Sequence, residues 1–228
     1  MHDSTIKIIS CRLFGSLARG DNDKYSDMDV LIVIDNESNQ NEEIKKLAIK
    51  MGVNKDADIS IYTRRRILAM FNTGHLFAWH IYRESVPYFK EHGDPWFNCL
   101  KKPRAYLEAK ADTDQFLNIL EDSLHALISG SNHIFEAGIV HMALRNIGMI
   151  QSYVNSKAPN FSRYSIMQLP STIAPPISNE SYELLLNCRR ASKRGISTSL
   201  PNKDTILDIL LPLKYWIKKM RVHNEIQN

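Results

Sequence analysis

Gly15-Ser16 closes a run of β-branched and aromatic residues, and ten residues later Asp27 and Asp29 flank Met28 at the head of the apolar stretch Val30 to Ile34. Glycine lets a chain turn sharply and approach a ligand closely, and a small hydroxyl beside the free amides of a helix start makes a cradle for phosphate. If residues 27 to 34 form a strand, the two aspartates point to one face, with Cα atoms roughly 6.6 Å apart, and Leu31 and Val33 carry that face into a core. Adjacent carboxylates repel. A divalent cation between them removes that cost, and an all-oxygen donor set suits Mg²⁺ or Mn²⁺ rather than zinc. Phosphate and cation chemistry are therefore expected together, with the polar segment Asp21 to Ser26 bringing one to the other. A loop shaped only by Asp21, Asn22, Asp23 and Asp27 would leave Gly15-Ser16 and Asp29 unexplained.

The elements that must hold these residues read as α/β over the first hundred positions. Ile6 to Phe14 is strand-like and stops at Gly15, and Val30 to Ile34 has the length and continuous apolarity of a central strand. Ile44, Leu47, Ala48 and Met51 fall on one side of a helix over Glu42 to Met51, which Gly52 ends. The stretch Asp56 to Thr63 alternates with period two, setting Asp56, Asp58, Ser60 and Tyr62 on one face and Ala57, Ile59 and Ile61 on the other. Thr63 to Asn72 reads as a helix, and Val86 to Lys90 as a short edge strand because Pro87 lacks a ladder donor. Beyond Pro103 the period changes. Ala105 to Ser129, Ile134 to Asn155, Ser181 to Ser192 and Asp204 to Val222 predict four helices in a bundle, with Ser131 or Asn132 as an N-cap and Pro201 just ahead of the last helix. The expected division is residues 1–100 and 101–228, an α+β arrangement of a mixed sheet with flanking helices followed by a helix bundle.

Composition excludes rather than selects. With 228 residues, 43% hydrophobic and 24% charged, the chain falls among ordinary globular proteins and not among disordered or fibrous ones. Val30 to Ile34 and Ile206 to Leu213 are far shorter than the roughly 20 apolar residues of a membrane span. The start Met1-His2-Asp3-Ser4 lacks a secretory pattern, so a cytoplasmic protein without a membrane partner is expected. Cys11, Cys99 and Cys188 show no metal or disulfide spacing and read as small core residues. A net charge of +4 with pI near 8.9 suits a polyanionic ligand without requiring one.

Gly15-Ser16, ten residues, then Asp27-Met28-Asp29 resembles the GS-x10-D-x-D signature of the minimal nucleotidyltransferases in the DNA polymerase beta superfamily, and "GSLARG…SDMDVLIV" is similar to their wording. The resemblance spans roughly residues 11 to 63. It implies a third carboxylate on the next strand, for which Asp58 fits and Asp56 is the rival. It also implies that Asp27, Asp29 and Asp58 bind the metals, that Gly15 and Ser16 hold the β- and γ-phosphates with Arg19 nearby, and that a hydroxyl attacks the α-phosphorus as pyrophosphate leaves. The implied cofactor is Mg²⁺ or Mn²⁺ and the implied donor is a nucleoside triphosphate, with AMP from ATP the expected group. The acceptor is left open among a small molecule, an RNA end and a protein hydroxyl, and a homodimer is among the arrangements expected. The helical half resembles the partner domain of antibiotic nucleotidyltransferases, which makes Glu136 a candidate base. The family commonly has a helix before the Gly-Ser strand, whereas about ten residues precede it here.

Weaker signals have bland alternatives. Arg64-Arg65-Arg66 could attract RNA or triphosphate, though a solvated helix face explains it, and Arg189, Arg190, Lys193 and Arg194 suit a helix C-terminus. His75, His80, His133 and His141 show no metal-ligand pairing with carboxylates at helical spacing. Phe161, Arg163 and Tyr164 could stack on a base or anchor a loop. Ribonuclease helix bundles of the HEPN type need a histidine four to six residues after an arginine, and "NIGMIQS" after Arg145 has none. Two readings follow: an active nucleotidyltransferase, or a silent relative that binds nucleotide or a partner protein in a toxin-antitoxin or defence-type module. Three retained aspartates favour the first, since a silent pocket has no need of mutually repelling carboxylates.

Overall fold

The protein, seen in a computed structural model, is described over residues 6–35, 41–91, 93–195 and 200–226. It divides into two compact units, Met1–Leu107 and Glu108–Asn228, a boundary later than the one expected at residue 100.

The first unit is a four-stranded mixed sheet. Strand β1 (Ile8–Phe14) leads into a short helix α1 (Gly15–Arg19), followed by β2 (Asp29–Ile34), α2 (Asn41–Lys50), β3 (Asp58–Thr63), α3 (Arg64–Thr73), α4 (Leu76–Glu84), β4 (Val86–Pro87) and α5 (Pro95–Asn98). The strand order is β3-β2-β1-β4, with β1 antiparallel to both neighbours and β2 parallel to β3 across the α2 crossover. Strand β2 is central, and Val30 to Ile34 are buried on both faces as a continuous apolar run requires. Leu31 and Val33 pack with Ile67, Met70 and Phe71 of α3 and Ala78 and Ile81 of α4, while Val30 and Ile32 pack with Ile44 and Ala48 of α2. Ile59 and Ile61 join the α2 face and Tyr62 the other, so the period-two reading of β3 holds. Pro87 sits on the edge strand, opposite Arg12.

Sequence periodicity had no reading for Leu76–Glu84, which folds as α4 with His75 Nδ1 accepting from the Phe77 amide as its cap. Helix α3 has a capping residue at each end: Thr63 Oγ1 accepts from the Arg66 amide, and Gly74 closes the C-terminus in the left-handed region.

The second unit is helical, with α6 (Ala109–Ile128), α7 (His133–Ser156), a 3-10 turn at Ser165–Gln168, α8 (Asn179–Arg194), α9 (Lys203–Leu210) and α10 (Leu213–Ile226). The single helix expected over Asp204 to Val222 is two, broken after Leu210, because Pro212 has no amide to donate to the preceding turn, while Leu211 keeps helical φ and ψ of −56° and −41°. Asn132, Ser178 and Asn202 cap α7, α8 and α9 through side-chain oxygens. One core joins Leu117, Leu120 and Leu127 of α6 with Leu144 and Ile147 of α7, Leu185 of α8 and Trp216 and Ile217 of α10. At Gly148 a methyl group would clash with the Ile166 backbone, so only glycine lets the 3-10 turn lie against α7. Among the described residues no helix is long and apolar enough to cross a membrane.

Candidate functional site

The site grows from the register of three strands. Phe14, the last residue of β1, lies opposite Asp29, the first of β2, and Asp29 in turn lies opposite Asp58, the first of β3. The Asp58 amide donates to the Met28 carbonyl at 2.8 Å, which carries the parallel ladder one step past the strand start. Neighbouring strands run about 4.8 Å apart, so Asp29 and Asp58 stand side by side on one sheet face, the face that Leu31 and Val33 continue. Asp56 lies outside β3, its amide turned to Asn54 Oδ1 at 2.9 Å. Of the two rivals, Asp58 is therefore the one in register with Asp29. Asp27 precedes the strand by two residues and is half-buried, as is Asp29, while Asp58 is exposed.

Immediately after Phe14 the chain turns at Gly15 with φ of 73°, into α1. A Cβ at Gly15 would collide with the Asp29 carboxylate, so the bend and the acidic strand end require each other. Arg19, for which a phosphate contact and a capping or solvated role are equal readings of the sequence, directs its guanidinium to two carboxylates: Nη1 to Glu84 Oε2 at 2.8 Å and Nη2 to Asp21 Oδ1 at 3.1 Å. It thereby ties the end of α1 to the end of α4 and holds the Gly15-Ser16 bend in place. The loop before Asp27 is an Asx turn, in which Asp23 Oδ1 accepts from the Tyr25 amide at 2.9 Å and from Ser26 Oγ at 3.0 Å.

Glu84 has a second partner besides Arg19. His80 Nε2 lies 3.1 Å from Glu84 Oε2, one helical turn away. Burial pushes the Glu84 carboxyl upward, but the hydrogen bonds and charges of His80 and Arg19 outweigh it and hold the group below its ordinary value. The His80 ring also packs edge-on to Phe14, at 5.4 Å between centroids.

Behind the site lies a buried polar group that sequence analysis missed. Arg12 Nη1 and Ser10 Oγ both donate to Asp94 Oδ2, at 3.0 and 2.5 Å, and the Arg12 fork also reaches Ser85 Oγ and the Ser85 carbonyl, each at 2.7 Å. The guanidinium carbon lies 3.8 Å from the centre of the Phe97 ring. Asp94 also caps α5 through the Phe97 amide. Arg12 and Asp94 are 82 residues apart, and no local pattern links them. Of the cysteines, Cys11 is half-buried, with its thiol pushed up to about 12 by burial and then by Asp94, and Cys188 is buried. Cys99 is exposed, which corrects its reading as a core residue.

The remaining candidates divide between the units. Arg64 pairs with Asp35 at 3.0 Å, and Arg65 and Arg66 are exposed on α3. In the helical unit Glu136 lies buried in the first turn of α7. His141 is buried against Tyr182, with ring centroids 4.9 Å apart. Burial, then Arg145, Arg189, Arg190 and Arg163, lower its pKa to about 3, so the ring stays neutral. Tyr164 donates to Glu183 at 2.5 Å, and Arg145 donates to the Phe161 carbonyl at 3.0 Å, so Phe161 and Tyr164 serve as loop anchors.

The donor set at the sheet end is all carboxylate, which suits Mg²⁺ or Mn²⁺. The backbone brings Asp29 and Asp58 together there, with Asp27 two residues upstream; among the described residues no three His, Cys, Asp or Glu side chains are drawn to a common point. No curated protein matches the chain. The family model described as a nucleotidyltransferase domain matches residues 3–85, the stretch that contains β1 to β3, the Gly15-Ser16 bend and all three aspartates, so the first unit is similar to nucleotidyltransferase domains.

Proposed function

We propose that the protein transfers a nucleoside monophosphate, AMP from ATP, to a hydroxyl acceptor and releases pyrophosphate. The observation that carries this reading is the register of Asp29 with Asp58 beside a Gly15 that has no room for a side chain. Carboxylates aligned at a strand end, with an acute bend at the same height, are poorly explained by stability, because like charges side by side disfavour the folded state.

In this reading Gly15 and Ser16 receive the β- and γ-phosphates, and the missing Cβ lets the Asp29 carboxylate lie against the bend. Asp27, Asp29 and Asp58 would hold Mg²⁺ or Mn²⁺, which when bound neutralises phosphate charge and polarises the α-phosphoryl oxygen. The acceptor oxygen forms a new bond to the α-phosphorus as the bond to the bridging oxygen of the β-phosphate breaks, and the electron pair leaves with pyrophosphate. The hydroxyl proton passes to a carboxylate, and Asp58, exposed at the strand start, is the candidate to take it. The Arg19 to Glu84 link contributes positioning: it fixes the bend relative to α4.

The test is incubation with each of four α-labelled nucleoside triphosphates and Mg²⁺, with small-molecule, RNA and protein acceptors. Label transfer with pyrophosphate release that disappears in Asp27→Ala and Asp29→Ala supports the reading. Turnover that survives both substitutions overturns it.

A further inference from the structure

We propose that His80 is a positioning residue for the bend that carries Gly15 and Ser16, bracing the short helix α1 at both of its ends. This rests on the nucleotidyl-transfer reading above, in which that bend receives the β- and γ-phosphates. Helix α1 has five residues, and the residue before it, Phe14, offers no side-chain cap. So short a helix is marginal by itself, because its terminal amides and carbonyls lack partners within it. Contacts from elsewhere must therefore fix the bend, and His80 of α4 reaches both ends of it. At the start, its ring meets Phe14 edge-on, with centroids 5.4 Å apart and planes at 88°. At the finish, Nε2 lies 3.1 Å from Glu84 Oε2, the same oxygen that accepts from Arg19 Nη1 at 2.8 Å.

The nitrogen is what separates positioning from packing. A ring that only filled space against Phe14 and Phe77 would need no polar atom, whereas this one turns a nitrogen to the carboxylate that anchors Arg19. The His80 and Glu84 side chains are each 14% exposed, so their interaction is screened less than a surface pair would be. Together with Arg19, His80 keeps Glu84 in its charged form, the form that grips Arg19. Precision matters here because of what α1 adjoins. Phe14 is laddered to Asp29, and a Cβ on Gly15 would collide with Asp29 Oδ2, so a small rotation of α1 shifts the phosphate cradle against the acidic strand ends. Loss of the brace therefore weakens triphosphate binding first and leaves the chemical step nearly untouched.

Calorimetric titration with ATP and Mg²⁺, run beside steady-state turnover, tests this. The H80F variant keeps an aromatic ring against Phe14 and loses the nitrogen; it should bind ATP about fivefold to tenfold more weakly, raising KM accordingly, with kcat within about twofold of wild type. H80Q restores a donor to Glu84 and should recover most of the affinity that H80F loses. Because His80 acts through Glu84, the H80F/E84Q double variant should bind no more weakly than E84Q alone. Wild-type affinity in H80F, no recovery in H80Q, or additive losses in the double variant overturns the inference. A measurement on wild type needs no variant to fold: the His80 imidazole nitrogen resonances should shift as ATP and Mg²⁺ are added, and unmoved resonances overturn it. The brace and the transfer reading fail apart. Transfer that persists while H80F binds normally sinks the brace alone, and a wild type that binds ATP without transferring AMP sinks the transfer reading alone. A wild type that binds no triphosphate sinks both.

Discussion

Asp29 and Asp58 stand side by side at the head of two parallel strands, whereas the helical unit gathers Arg145, Arg163, Arg189 and Arg190 around His141. The electrostatic situation is the same with the sign reversed, and the fold supplies each by different means. In the sheet, backbone register alone aligns the two carboxylates, since their ladder partners are fixed by the strands. In the bundle, the cations converge through side-chain contacts to carbonyls and through helix packing. Arg12 and Asp94 are the counterexample. Their charges are more deeply buried than either cluster, but opposite and satisfied, and so they need no ligand. Like charges aligned by strand register point to function, and an opposite pair closed in the interior points to scaffold.

The largest expected effect tests the acidic side of that contrast. Replacing Asp29 by Asn keeps the volume but removes a negative charge, and pyrophosphate release should fall roughly a thousandfold, several kcal/mol of lost transition-state stabilisation, with the thermal melting point unchanged or raised. A loss below tenfold would break the distinction between functional and structural charge. Next comes Asp94→Ala, which strands Arg12 in the interior and should lower the stability of the first unit by about 3–5 kcal/mol in chemical denaturation. An Arg12→Met/Asp94→Leu double variant should recover most of it. Full stability in the single variant would mean that the pair is not the scaffold it resembles.

A smaller effect is expected from pH on the basic side. Folded His141 takes a proton only near pH 3, while the unfolded chain takes one near its ordinary 6.5. Proton uptake therefore favours unfolding, and the helical unit should lose roughly 1.4 kcal/mol per pH unit below 6.5. The window from 6.5 to 5 is cleanest because carboxylates have yet to titrate, and His141→Phe should flatten the denaturation profile there. The smallest effect concerns the link behind the bend. Glu84 titrates below its ordinary value when folded, so its stabilisation is present above that ordinary value and is lost as pH falls through the folded one. Glu84→Gln should cost about 1 kcal/mol at neutral pH. It should also raise KM for triphosphate more than it lowers kcat, because Arg19 then positions the bend less firmly.

Much of the first unit could be read in advance because its signals are short-range. Val30 to Ile34 had to be a strand covered on both faces, and the alternation from Asp56 to Thr63 correctly separated Ile59 and Ile61 from Tyr62. Helix α4 escaped notice because Leu76–Glu84 is apolar around much of its circumference, with Ala78, Trp79 and Ile81 buried together, so no clean 3.6-residue stripe stood out. The break at Leu211-Pro212 was written in the chain, yet the apolar period of Ile206, Leu210 and Leu213 ran across it and suggested continuity.

The sequence by itself determined the bend, the spacing to two aspartates and the apolar run behind them, because each depends on neighbours a few residues away and on steric rules that act locally. Tertiary structure decided that Asp58 rather than Asp56 meets Asp29, that Arg12 closes on Asp94, and that arginines from α7, a loop and α8 share one histidine. These are contacts between segments distant along the chain. Parallel pairing admits more than one register until the crossover helix and both packed faces choose it, and no local period encodes that choice.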